Sequence, residues 1–94
     1  MSKPLVLEDV PRLTAHFRLQ WEEAQQAWVL LYPEGMVRLS PSAAEIMRRV
    51  DGTTPVGGIV ADLERAYPGA DLRRDVMEFL EVAHERGWIR KQGE

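Results

Sequence analysis

Histidines, paired acids, serines and one glycine pair are the groups in this sequence whose types invite a chemical role. His16 and His84 are the two histidines. One falls on the polar face of a predicted strand and the other near the end of a predicted helix, at no spacing that a metal site uses. Glu22-Glu23 and the acids Asp75, Glu78, Glu81 and Glu85 could in principle supply general acid and base. The last four, however, interleave with Arg73, Arg74 and Arg86, which is the pattern of a solvated helix face. Ser40 and Ser42 have no base within sequence reach and read as a helix cap and a first-turn residue. Gly57-Gly58 lacks the glycine spacing and the lysine of a phosphate loop, and no strand precedes it. Close helix–helix packing, or simple tolerance of glycine there, explains that pair better. The 94 residues include no cysteine, which removes disulfides, thiolate metal sites and cysteine nucleophiles together. With no nucleophile–base pair, metal set or phosphate cradle, the chain is expected to be a non-enzyme that carries no cofactor.

The elements that could position a binding surface are legible in the periodicity. Phe17, Leu19 and Trp21 alternate with polar neighbours, as in a half-buried strand. After the polar turn Glu22–Gln26, the run Ala27–Tyr32 is apolar on both faces and suits a central strand. Tyr32-Pro33-Glu34-Gly35 predicts a hairpin turn with Gly35 in the left-handed region, leading into a short third strand, Met36-Val37-Arg38-Leu39. Ser40-Pro41 is a helix start signal, and Ala43, Ile46, Met47 and Val50 follow at helical spacing up to Gly52. Thr54-Pro55 repeats the signal for a second helix carrying Val56, Ile59, Val60, Leu63 and Tyr67. Pro68-Gly69 ends it. Asp71 is the expected cap of a third helix with Leu72, Val76, Phe79, Leu80 and Ala83 on its core stripe, closed by Gly87. The expected fold is α+β: a three-stranded antiparallel meander followed by three helices, winged-helix-like. Residues 1–15, with Pro4 and Pro11, read as an extended N-terminal arm, residues 16–90 as a single domain and residues 91–94 as a tail.

Composition narrows the partners. Hydrophobic residues are 45% and charged residues 29% of the chain, ordinary for a folded domain. Twelve basic and fifteen acidic residues give a net charge of −3, and the deficit lies wholly in residues 51–94. The third helix carries five acids and three arginines between Asp71 and Arg86. A recognition helix entering a groove lined by phosphates is expected to be basic, so a nucleic-acid-binding winged helix is the alternative and not the preferred reading. The N-terminal segment meets Glu8 and Asp9 before an apolar signal core can form, and Ala27–Tyr32 is far shorter than the ~20 residues of a membrane span. No membrane association and a cytoplasmic location are expected.

The run Leu30-Leu31-Tyr32-Pro33-Glu34-Gly35, followed by Val37, Leu39, Ser40, Ala43-Ala44, Ile46 and Asp51-Gly52, resembles the PqqD family. Ile59-Val60, Leu63, Tyr67-Pro68, Asp75-Val76, Phe79-Leu80 and Gly87-Trp88 extend the resemblance over about residues 16–90. The family often has asparagine at the position of Ser40 and threonine at that of Ser42, and both exchanges keep capping ability. The resemblance implies a peptide chaperone of pyrroloquinoline quinone (PQQ) biosynthesis, a RiPP recognition element. It implies binding of the precursor peptide PqqA between the third strand and the third helix, and presentation of that peptide to the radical SAM enzyme PqqE.

Those expectations select a site. An open sheet edge can be completed by an added peptide strand, which points to Met36, Val37, Arg38 and Leu39. The other wall is expected on the flank of the third helix that carries Arg73, Met77, Leu80 and His84, because it is more apolar than the flank of Asp75 and Val82. Arg48, Arg49, Arg73 and Arg74 are candidates for steering a second partner. Monomer and homodimer both remain open, since an arm and an edge can each exchange between copies.

Overall fold

The computed structural model describes residues 3–94. In chain order its elements are β1 (Pro11–Leu13), β2 (Arg18–Glu22), β3 (Ala27–Tyr32), β4 (Gly35–Arg38), α1 (Pro41–Met47), α2 (Val56–Ala66), α3 (Arg73–Glu85) and β5 (Ile89–Lys91). β2, β3 and β4 form the expected antiparallel meander with β3 in the middle, and β1 pairs antiparallel with β5 in a second sheet. Over the described residues the architecture is α+β with three helices and two antiparallel sheets.

β1 and β5 correct the strand count. Pro11 lies opposite Lys91 and Leu13 opposite Ile89, so part of the expected arm joins the end of the chain, and β5 straddles the expected boundary at residue 90. Each strand has three residues, too few for a period of two to show. The rest of the arm is also packed. Leu5 is only 3% exposed and belongs to the main hydrophobic cluster with Leu30, Met47, Ile59, Leu80 and Ile89. Burying a side chain of that size contributes about 1.5–3 kcal/mol.

The arm also explains Gly57, the first of the glycine pair, whereas a Cβ on Gly58 would meet Thr54 Cγ2 at 2.8 Å. α2 begins after Pro55 with no side-chain cap, which leaves its first amides without intrahelical partners. Val56 N–H donates to the Asp9 carbonyl at 2.8 Å and Gly57 N–H to the Leu7 carbonyl at 2.9 Å. A Cβ on Gly57 would stand 3.4 Å from that Leu7 oxygen. The close approach is therefore to the arm, not to another helix as the sequence suggests.

The start of α1 and the end of α3 follow the sequence signals. Ser40 caps α1, its Oγ accepting the Ala43 amide at 3.2 Å, with Pro41 in the first turn. At the end of α3, Gly87 adopts φ 78°, Trp88 N–H donates to the Ala83 carbonyl and Gly87 N–H to that of His84. That bond pair is a Schellman motif, which a left-handed residue makes possible. Two local expectations fail. Leu72 and not Asp71 precedes α3, its amide taken by the Glu64 carboxylate at 2.9 Å. Gly35 is not left-handed; it pairs directly with Tyr32 across the two-residue turn Pro33-Glu34. Glycine is favoured there because the Tyr32 hydroxyl would lie 3.3 Å from an added Cβ.

Candidate edge-and-groove binding site

Cross-strand register decides what β4 offers. Leu30 lies opposite Leu19 on β2 and Val37 on β4, while Val29 lies opposite Gln20 and Arg38. Opposed residues share a face, so Leu19, Leu30 and Val37 point into the core, and Met36 and Arg38 point outward. Val29 is nonetheless 0% exposed. On that outer face Gln25 Nε2 comes within 3.8 Å of Met36 Sδ. β4 is an edge strand, as expected for Met36–Arg38, with Leu39 continuing its line.

The backbone of β4 alternates in the same way. Leu39 N–H donates to the Trp28 carbonyl of β3 at 2.9 Å. In an antiparallel ladder every second residue bonds the same neighbour, so Val37 and Gly35 also face β3. The amides of Met36 and Arg38 point away from the sheet. Among the described residues they find no acceptor, and they are the donors of the open edge.

Beyond Leu39 lies a groove of about 1140 Å³. Arg38 of β4 and Leu39 after it form one side, α1 supplies Ala43, Ala44 and Ile46, and Leu72 leads into Asp75, Val76 and Phe79 of α3. Its far end is aromatic. Trp21, 42% exposed, packs edge-on to Trp28 at 5.9 Å, and the Arg48 guanidinium sits 5.0 Å over the Trp28 ring. Such a cation–π contact is worth about 0.5–1 kcal/mol at an exposed site.

Electrostatics stiffen the helices beside the groove. Glu45 accepts from the Tyr67 hydroxyl, which holds its carboxylate below the ordinary range, aided by Arg49. Arg49 bridges onward from Glu45 to Asp62 on α2, its Nε donating at 2.6 Å. Asp51 organises the turn between α1 and α2. Its carboxylate takes the Thr53 and Thr54 amides and the Thr54 hydroxyl, and those bonds lower its pKa to about 2.

The sequence-selected residues thus divide. Arg38 and Leu39 line the groove, and Met36 and Val37 lie beside them on the edge strand. Arg73, Met77, Leu80 and His84 are not among the groove's lining residues. Leu80 is 0% exposed in the core, and Met77 packs half-buried against that core. His84 Nε2 is 2.7 Å from a Glu94 carboxylate oxygen, and Glu81, one turn before Glu85 on the same helix, receives the Leu5 amide at 3.0 Å. Leu5 and Glu94 thus contact this flank at Glu81 and His84, while Arg73 stays exposed. The groove instead takes Asp75 from the other flank, with Val76 and Phe79 from the predicted core stripe, and not Val82.

Sequence reasoning missed Trp21, Trp28 and Phe79 as groove residues because it treated them as core. Arg49, a candidate for steering, is held by Glu45 and Asp62, and Arg74 pairs with Glu78. His16 sits in a turn before β2 at φ 72°, not on a strand. Among the described residues no group of three or more His, Asp or Glu side chains is placed to hold a metal, and no helix is long and apolar enough to cross a membrane.

The comparisons with known proteins agree with one another. A protein named PqqA binding protein from Azotobacter vinelandii is 55% identical over 84 residues, covering 88% of this chain and 91% of its own length. One of the same name from Pseudomonas aeruginosa UCBPP-PA14 is 50% identical over 93 residues, covering 98% of this chain and all of its own. The solution NMR structure of the PqqD truncation of Methylobacterium extorquens PqqCD, described as a functional and stand-alone RiPP recognition element, superposes with a TM-score of 0.76. It is 29% identical and covers 92% of this chain and 94% of its own. The family model described as Coenzyme PQQ synthesis protein D matches residues 27–89, and on these grounds the chain belongs to the PqqD family.

Proposed function

We propose that this chain binds the precursor peptide PqqA as a strand added to the free edge of β4 and presents it to PqqE. One observation carries the site: the outward Met36 and Arg38 amides lie beside an apolar groove whose other wall is Leu72 and the Phe79 side of α3. Main-chain bonds supply register and affinity for any extended segment, and pockets for alternate side chains supply selectivity. Relatives sharing half or more of their residues with this chain bear the name PqqA binding protein, which identifies the peptide. The meander followed by three helices supports a winged-helix-like description of the module.

The protein acts here without catalysing anything. It converts a flexible peptide into an ordered strand, so that the enzyme meets one conformation and not an ensemble. The encounter with PqqE uses a surface other than the groove, for which the exposed Arg73 remains a candidate. A cytoplasmic setting follows from the ribosomal origin of the peptide. Calorimetric titration with synthetic PqqA tests the reading. Saturable one-to-one binding that is lost in Arg38→Pro is expected, and no heat or shift at any accessible concentration would refute it.

A further inference from the structure

The register of β4 also determines which side chains of an added strand meet which side chains of the protein. In either strand orientation, a residue directly across from a β4 residue projects from the same face of the sheet. Residues across from Val37 and Leu39 therefore project on the core face, the side on which Leu30 is fully buried. A residue across from Arg38 projects outward.

On that outer face the residues directly in line with Arg38 are uncharged, Arg18 and Glu22 lying to either side of that line on β2. Its neighbour across β3 is Val29, and the next residue across is Gln20. Arg48, Arg49, Arg65 and Arg74 all form ion pairs, whereas Arg38 forms none among the described residues. Arg38 is exposed and also lines the groove. An exposed guanidinium on an edge strand normally guards against unwanted pairing, but it also discriminates among strands that do pair. Opposed side chains stand about 4.5–5.5 Å apart at Cβ, so a carboxylate across from Arg38 is attracted and an ammonium repelled.

We infer that β4 selects a peptide segment with an acidic residue across from Arg38, flanked on both sides by apolar residues across from Val37 and Leu39. This rests on strand addition to β4 and adds the chemistry of the chosen segment. The chain as a whole carries −3, so long-range charge does not favour an acidic peptide. The selection is local, through one pair.

A charge-swap titration with PqqA tests it. Arg38→Glu is expected to weaken binding about tenfold, since attraction becomes repulsion across one strand pair. One PqqA variant in which a single acidic residue is replaced by lysine is expected to restore binding to Arg38→Glu and to bind the unaltered protein poorly. If Arg38→Glu weakens binding but no single lysine variant restores it, the specific pairing is refuted. If Arg38→Pro abolishes binding in a folded protein while Arg38→Glu leaves it unchanged, the acid selection is refuted and strand addition stands. If neither substitution alters affinity, strand addition itself fails and the inference falls with it.

Discussion

The Leu39 amide donates to the Trp28 carbonyl at 2.9 Å, and this single bond sorts the backbone of the edge strand. It commits Leu39, Val37 and Gly35 to β3 and leaves Met36 and Arg38 free. The proline test follows from it. Val37→Pro removes a ladder bond within the sheet and is expected to lower stability by roughly 1–3 kcal/mol. Arg38→Pro removes only an outward donor, so its melting temperature should stay close to that of the unaltered chain while PqqA affinity falls about tenfold or more. Calorimetry beside thermal melts distinguishes the two.

The two flanks of α3 should respond oppositely to a charge. Both pack against the core, but Phe79 also lines the groove and Met77 does not. Phe79→Glu is expected to cut PqqA affinity by about tenfold or more, because the buried charge finds no partner in an apolar wall. Met77→Glu should instead cost roughly 1–3 kcal/mol of stability with affinity nearly unchanged. Affinity lost in Met77→Glu at intact stability would return the peptide to the other flank.

Much of this could be read from the residues themselves, and the misses have physical causes. The meander, the Ser40 cap and the Gly87 stop each depend on local chemistry, and local chemistry is what a sequence displays. Asp75 was passed over because apolarity alone selected Met77 and Leu80, which pack in or against the core. Nothing local fixes how α3 crosses the sheet. β1 and β5 were missed because their pairing joins Pro11 to Lys91 over nearly the full chain, and three residues carry no period.

Leu5 offers a test of that long-range closure. It is buried among the core side chains and its amide is tied to Glu81. Leu5→Ala is expected to destabilise the protein by about 2–4 kcal/mol, as for a core truncation. A detached arm would give a change near zero in chemical denaturation.

The Asp51 turn gives the fold a defined acid response. Its carboxylate titrates at about 2, against 3.8 for an unconstrained aspartate, so the folded state favours the ionised form. The stabilisation is therefore complete above the unfolded value and is lost as pH falls through the folded one. Asp51→Asn should lower the melting temperature by a constant amount at neutral and mildly acidic pH. The gap to the unaltered chain should then close between about pH 4 and pH 2. A gap independent of pH throughout would mean that the ionised form contributes nothing to the turn.

Amide hydrogen exchange, read residue by residue with and without saturating PqqA, tests strand addition most directly. In the free protein the Met36 and Arg38 amides should exchange as unpaired groups, while Val37 and Leu39 are already protected by β3. Binding should protect Met36 and Arg38 and leave Val37 and Leu39 little changed. Continued fast exchange of both Met36 and Arg38 in the saturated complex would contradict the account.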